Sequence, residues 1–188
     1  MDRKEQRQII EKNKELLERY PILTPSVYFH GGMDYDYTYT ELDFVCIGWQ
    51  KMFLEMCDEI QSHLKEVGVP FQEFWFYDIK EKWGGLRVQA GGYSDDAIES
   101  LLSDAETRSL LFCPHCGKPT KYVTHGYVLY LCEDCFKEAK LNGELLTADD
   151  APVFREWSYD KEGKVTTSVK PSRYDADFRS QWNGKKEG

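Results

Sequence analysis

The sequence predicts an α+β fold in which an antiparallel sheet is packed by two main helices and interrupted by a small cysteine-built ribbon. Three observations predict it. An apolar stripe at three- and four-residue spacing runs through residues 49–67. Two β-prone runs, 71–79 and 86–90, flank Lys80-Glu81-Lys82-Trp83-Gly84-Gly85. Two Cys-x-x-Cys pairs, Cys113/Cys116 and Cys132/Cys135, are separated by residues 117–131.

The elements follow in chain order. Residues 2–20 read as a helix that Asp2 can cap, with Ile9, Ile10, Leu16 and Leu17 at one- and two-turn spacing and Pro21 as its stop. With four aliphatic positions facing inward, this helix is expected to dock loosely or to pack on a partner. Residues 22–45 read as extended chain or loop. Within them Asp34, Tyr35, Asp36, Tyr37 and Tyr39 alternate acid and aromatic at the period of a strand, which predicts an edge strand with its rings turned inward.

The strongest helix covers residues 49–67. Trp49, Met52, Phe53, Met56, Cys57, Ile60, Leu64 and Val67 form its stripe, and Gly68 ends it. So wide a stripe belongs to a helix lying on a sheet. Residues 71–79 and 86–90 then make two antiparallel strands about a glycine-containing turn. Ser94 and Asp95 start the second main helix, 95–111, with Ile98, Leu101, Leu102 and Ala105 on one face. Residues 136–141 read as a short helix closed by Asn142-Gly143. Residues 155–160 and 165–169 form a last hairpin around Lys161-Glu162-Gly163. The expected organisation is an N-terminal helix (1–20), an α+β core domain (21–112), a ribbon (113–143), a terminal hairpin (144–170) and a flexible tail (171–188).

In Cys113-Pro114-His115-Cys116-Gly117 and Cys132-Glu133-Asp134-Cys135, each pair can fold into a tight knuckle whose two sulfurs converge on one ion. Two knuckles complete a tetrahedral four-cysteine shell, the arrangement Zn2+ takes in structural sites. Gly117 suits the positive φ that such a knuckle requires. Residues 121–131, with a turn at His125-Gly126, fit a ribbon hairpin. The expected cofactor is therefore one structural Zn2+ on Cys113, Cys116, Cys132 and Cys135. Four thiolates leave no coordination position for substrate or water. Binding would contribute on the order of 10 kcal/mol to ordering about 25 residues too few to build a core. An iron–sulfur cluster or a His115 ligand are the alternatives to this set. Cys46 and Cys57 read as buried thiols, with Cys57 on the apolar helical face.

Composition bounds the rest. The chain has 188 residues, 41% hydrophobic and 14% aromatic, enough apolar material for a core. No apolar run approaches the roughly 18–20 residues of a membrane span, and the N-terminus has no apolar signal core, so a cytoplasmic protein is expected. Net charge is −9 and unevenly spread: residues 1–20 carry +1, residues 155–188 carry +2, and the segment between carries −12. Such a body repels phosphate backbones and suits a partner with a basic surface.

Gly48-Trp49 followed by Leu54, Cys57 and Ile60, then Ile79-Lys80-Glu81-Lys82-Trp83-Gly84-Gly85-Leu86-Arg87-Val88, then Cys113-Pro114-His115-Cys116-Gly117 and Gly126-Tyr127 before the last cysteine pair, form a recurring pattern. It resembles a family of small proteins encoded by bacteriophages and bacteria, with a Gly-Trp helix, a Lys-Glu-Lys-aromatic-Gly-x-Leu-Arg hairpin and a two-knuckle zinc ribbon. The match covers about residues 44–135, and Trp83 stands where Phe is commoner. The resemblance implies a phage or prophage origin and supplies no catalytic residues.

Three functional readings follow. The first is a non-enzymatic zinc-binding protein that binds a host protein, as a counter-defence inhibitor or adaptor, with Asp34, Tyr35, Asp36, Tyr37 and Tyr39 as the contact segment. The second is a nucleic-acid-binding zinc ribbon that uses Lys80, Lys82, Trp83 and Arg87, Trp83 stacking on a base. The third is a metal-dependent enzyme in which Asp34, Asp36, Glu41 and Asp43 hold Mg2+.

Overall fold

A computed structural model describes residues 2–27, 34–124 and 127–141, together with the backbone of three short strands further along the chain. It divides into two units, residues 1–150 and 151–188.

The first helix, α1 (Arg3–Arg19), opens with a capping box. The Asp2 carboxylate accepts from the Lys4 and Glu5 amides at 2.6 and 2.8 Å, and Glu5 accepts from the Asp2 amide at 2.8 Å. Its first two turns are exposed. It docks through Asn13, Leu17 and the Tyr20 that follows it. Pro21–Leu23 then makes a single 3-10 turn that buries Ile22 and Leu23 completely.

Residues 34–40 do not form the expected strand. The Asp36 carboxylate accepts from the Thr38 amide at 3.0 Å and from its hydroxyl at 2.7 Å, and Tyr37 between them takes φ +60°. A side chain that satisfies a nearby amide in this way competes with a strand ladder, and a left-handed residue breaks the two-residue alternation. The inward packing of the rings survives the loss of the strand. The Tyr35 and Tyr37 rings meet at 4.5 Å, tilted by 39°, and lie against the core, and the buried Asn13 side chain donates to the Tyr37 carbonyl at 2.8 Å.

The helix α2 (Gln50–Glu66) buries Met52, Phe53, Met56, Cys57, Ile60 and Leu64, with Trp49 fully buried in the 3-10 turn (Ile47–Trp49) that leads into it. Val67, at the end of the expected stripe, falls after the helix and is exposed.

The strands β1 (Phe74–Lys82) and β2 (Gly85–Gly92) pair antiparallel about a two-residue turn, Trp83-Gly84. Phe76 faces Ala90 and Asp78 faces Gln89, so Tyr77 is an extra, bulged residue. The bulge moves the buried face by one position, from Phe74 and Phe76 to Ile79. Phe76 meets Phe53 of α2 at 5.3 Å and Phe74 at 5.2 Å. Full burial of side chains of this size contributes roughly 2–3 kcal/mol each.

Among the described residues the core sheet has these two strands, and the edge of β2 is completed by side chains. Helix α3 (Asp96–Ser109), capped by Asp95 on the Ile98 amide at 3.0 Å, packs Ile98, Leu102 and Ala105 into the core. Its Ser109 hydroxyl accepts from the Leu86 amide at 2.8 Å, and its Glu106 carboxylate accepts from the Val88 amide at 3.0 Å. Two amides that would otherwise invite another strand are thereby occupied.

Beyond α3 the chain forms β3 (Tyr122–Thr124), β4 (Tyr130–Leu131), helix α4 (Glu133–Leu141) and β5 (Ala148–Asp150). The three strands make an antiparallel sheet in the order β4-β3-β5. Helix α4 starts three residues earlier than the sequence predicts. In the second unit β6 (Glu156–Tyr159) and β7 (Val165–Ser168) pair antiparallel, Glu156 opposite Ser168. The expected turns at His125-Gly126, Asn142-Gly143 and 161–163 and the tail 171–188 lie outside the described residues. No helix among the described residues is long and apolar enough to cross a membrane.

Candidate metal centre

The four cysteines of the two knuckles come together. Their sulfurs lie within 4.8 Å of one another, with Cys116 Sγ 3.5 Å from both Cys132 Sγ and Cys135 Sγ. Four thiolates at about 2.3 Å from one ion stand about 3.8 Å apart on the edges of a tetrahedron, so the cluster has the size such an ion requires. Among the described residues no other group of three or more Cys, His, Asp or Glu side chains converges in this way.

Local hydrogen bonds shape each knuckle. The Cys113 amide donates to the Lys118 carbonyl at 2.8 Å, and the Gly117 amide returns to the Cys113 carbonyl at 2.8 Å. Gly117 sits at φ +72°, as the sequence predicts. In the second knuckle the Cys135 amide points at Cys132 Sγ at 3.4 Å, and the Phe136 amide closes the first turn of α4 on the Cys132 carbonyl at 3.1 Å. Cys113 and Cys132 are buried, Cys135 is half-buried and Cys116 is exposed. Burial first, then the adjacent sulfurs, push the Cys135 thiol well above its ordinary value. Four crowded sulfurs become thiolates together when a cation offsets their charge.

Two ion pairs run between the knuckle segments, Lys118 to Asp134 and Lys121 to Glu133, both at 2.7 Å, and Lys137 of α4 adds a pair to Glu133 within the helix at 2.7 Å. Hydrogen bonds from Lys121 and then Lys137 hold the Glu133 carboxyl down at about 2. The apolar content is small: Leu131 and Phe136 are buried, with Tyr122 against Phe136 at 4.6 Å. His115 is exposed and stands outside the cluster.

The first knuckle is also bonded into the core, which the order of elements alone did not reveal. The Gly48 amide donates to the Pro114 carbonyl at 2.9 Å, and the Trp49 indole N–H donates to the Phe112 carbonyl at 2.7 Å. A Cβ at residue 48 would lie 2.5 Å from the Gly117 nitrogen and 2.8 Å from the Cys116 nitrogen, and closer still to the Cys113 carbonyl oxygen. The available signal was a glycine opening an apolar helix, where a side chain would ordinarily add packing.

A second junction joins the hairpin turn to the ribbon. The Glu81 carboxylate accepts from the Gly84 amide at 2.6 Å and from the Tyr127 hydroxyl. A Cβ on Gly84 would meet the Tyr130 ring at 2.7 Å.

No protein-family model, curated protein or solved structure matches the chain.

The remaining candidate residues fall in separate places. Asp34 and Asp36 are exposed, whereas Tyr35, Tyr37 and Tyr39 are half-buried. The four carboxylates considered for Mg2+ do not converge. Asp36 is engaged by Thr38, and Asp43 accepts from the Thr40 amide at 2.7 Å. Glu41 is buried, and burial raises its carboxyl to about 7 against the opposing Ser26 amide. Of the basic set, Lys80 pairs with Asp78, and Arg87 lies 3.8 Å from Glu106 and donates to the Leu86 carbonyl at 2.7 Å. Lys82 and Trp83 are exposed.

Proposed function

We propose that this chain is a non-enzymatic zinc-binding protein whose ion braces a ribbon against an α+β core, and that it acts by binding another protein with a basic surface. The observation that carries the reading is the closed quartet of Cys113, Cys116, Cys132 and Cys135. A tetrahedral site filled by four thiolates has no position for water or substrate, so the ion serves the fold. The bonds from Gly48 and Trp49 to the segment around Cys113 support the same role, because they tie the metal-bearing loop to a buried helix start.

The acidic excess of residues 21–154 supports a basic partner rather than a nucleic acid. The occupation of Lys80 and Arg87 by Asp78 and Glu106 weighs the same way. The resemblance to phage and bacterial proteins adds the setting: a phage-encoded protein working in the host cytoplasm as a counter-defence inhibitor or adaptor.

The test has two parts. Elemental analysis of the purified chain is expected to give one zinc per molecule; iron or no metal would reject the cofactor. Affinity purification from the natural host is expected to yield a stoichiometric protein partner, retained at moderate salt and released at high salt. Recovery of nucleic acid in its place would reject the partner class.

A further inference from the structure

Trp83 occupies a position that neither turn chemistry nor packing explains. It is the first residue of the two-residue hairpin turn, at φ +57°, followed by Gly84 at φ +78°. Turns with two such residues favour Asn, Asp or Gly in the first place, because a larger side chain is strained at positive φ. The indole recovers little by burial, since the residue is 70% exposed. A strained residue at an exposed site points to a role outside the fold.

The surroundings hold this turn rigid. The Glu81 carboxylate takes the Gly84 amide and, through its other oxygen, the Tyr127 hydroxyl of the ribbon. Tyr127 is fixed at its hydroxyl end while 69% of it faces solvent. Gly84 rests on the Tyr130 ring. Cys46 lies close enough to this group for the Glu81 charge to join burial in raising its thiol. The exposed Trp83 thus sits on a turn bonded through Glu81 to the exposed Tyr127, with Glu81 and Tyr127 held by contacts already made within the protein. Those two side chains have little freedom left to lose on binding, which is the property of an interaction hot spot.

We infer that Trp83, Tyr127 and Glu81, where the hairpin turn meets the zinc ribbon, form the docking surface for a protein segment that presents an arginine. The inference rests on the protein-binding reading above and names its surface. Charge complementarity selects the occupant. Aromatic faces and a carboxylate attract a guanidinium, and residues 21–154 taken together carry −12. Of the hairpin's cations near the turn, Lys82 is exposed at the end of β1, Lys80 is held by Asp78, and Arg87 lies 3.8 Å from Glu106. The zinc site is part of the surface, since it fixes the ribbon that carries Tyr127.

The test compares the zinc-loaded full chain with Trp83→Gly, a substitution that relieves the positive φ and is expected to raise the melting temperature. A displayed library of random peptides is selected on the wild-type protein, and enriched peptides are measured on both. Enrichment of arginine-containing peptides that bind Trp83→Gly weaker by about tenfold or more supports the surface. Tyr127→Ala is expected to weaken the same peptides. Peptides that bind Trp83→Gly as tightly as wild type overturn the surface and leave the protein-binding reading standing. Enrichment without arginine overturns the partner chemistry. Binding of oligothymidylate that Trp83→Gly abolishes, or no peptide binding at all, overturns the inference.

Discussion

The amide of Gly48 donates to the carbonyl of Pro114 at 2.9 Å, and this bond seats the first metal knuckle on the start of α2. Trp49, fully buried, adds its indole bond to Phe112 one residue before Cys113. The ribbon therefore has two sources of support: the cluster of four cysteines, with the ion proposed for it, and a backbone contact with the helix that organises the core.

Gly48→Ala tests the second support. The added Cβ meets backbone atoms of Cys113, Cys116 and Gly117, which cannot rotate away as a side-chain tip could. The expected result is a loss of stability on the order of 3 kcal/mol or more, with faster zinc transfer to a chromophoric chelator. Wild-type melting and wild-type transfer would show that the knuckle does not rest on this glycine.

Cys116→Ser tests the first support. Serine is a poor zinc ligand, and Cys116 is the exposed member of the quartet, so the substitution removes a metal bond with little change in packing. Metal content is expected to fall below one ion per chain. Hydrogen exchange should rise in residues 113–135 more than in α2 and β1. Unchanged metal content would reject the ligand assignment.

Ser109→Ala probes the way a two-stranded sheet is completed. The hydroxyl is the acceptor for the Leu86 amide, and both residues are fully buried. Its loss leaves a buried donor without this partner, which costs about 1–3 kcal/mol. Urea unfolding should show that decrease, with the Leu86 amide exchanging faster. An undiminished midpoint would mean that the edge finds another acceptor.

Glu41 gives the pH dependence a definite sign. Burial raises its folded-state carboxyl to about 7 from an ordinary value of 4.5. Below about pH 4 the group is protonated in both states and its titration contributes nothing. Between 4.5 and 7 the unfolded chain loses the proton that the folded chain keeps, so this group lowers stability as pH rises. Glu41→Gln should match wild type near pH 4 and exceed it by about 3 kcal/mol near pH 8. A difference between the two proteins that does not vary with pH would exclude the linkage.

How much was legible beforehand depended on the range of the interaction that decides each feature. The α2 stripe and the four cysteines that converge were readable, because helical periodicity and the Cys-x-x-Cys knuckle are set within a few residues. Asp34, Asp36 and the tyrosines between them misled the strand reading. Their alternation has the strand period, yet a bond from Asp36 to Thr38 satisfies the backbone locally and turns Tyr37 into the left-handed region. Tyr77 is similar, since a bulge leaves no mark in composition while shifting the buried face of β1.

The amino-acid sequence by itself determined the helices, the hairpin and the membership of a four-cysteine cluster, all products of local geometry and apolar spacing. Only the tertiary structure decided what each is attached to: Gly48 beneath the knuckle, Glu81 under Tyr127, Ser109 against the edge of β2. These contacts join residues far apart in the chain, one between backbone groups that every residue carries and two through polar side chains common on any surface. No local pattern marks the partner, and the bonds come to exist only once the core has packed and brought the two segments within bonding distance.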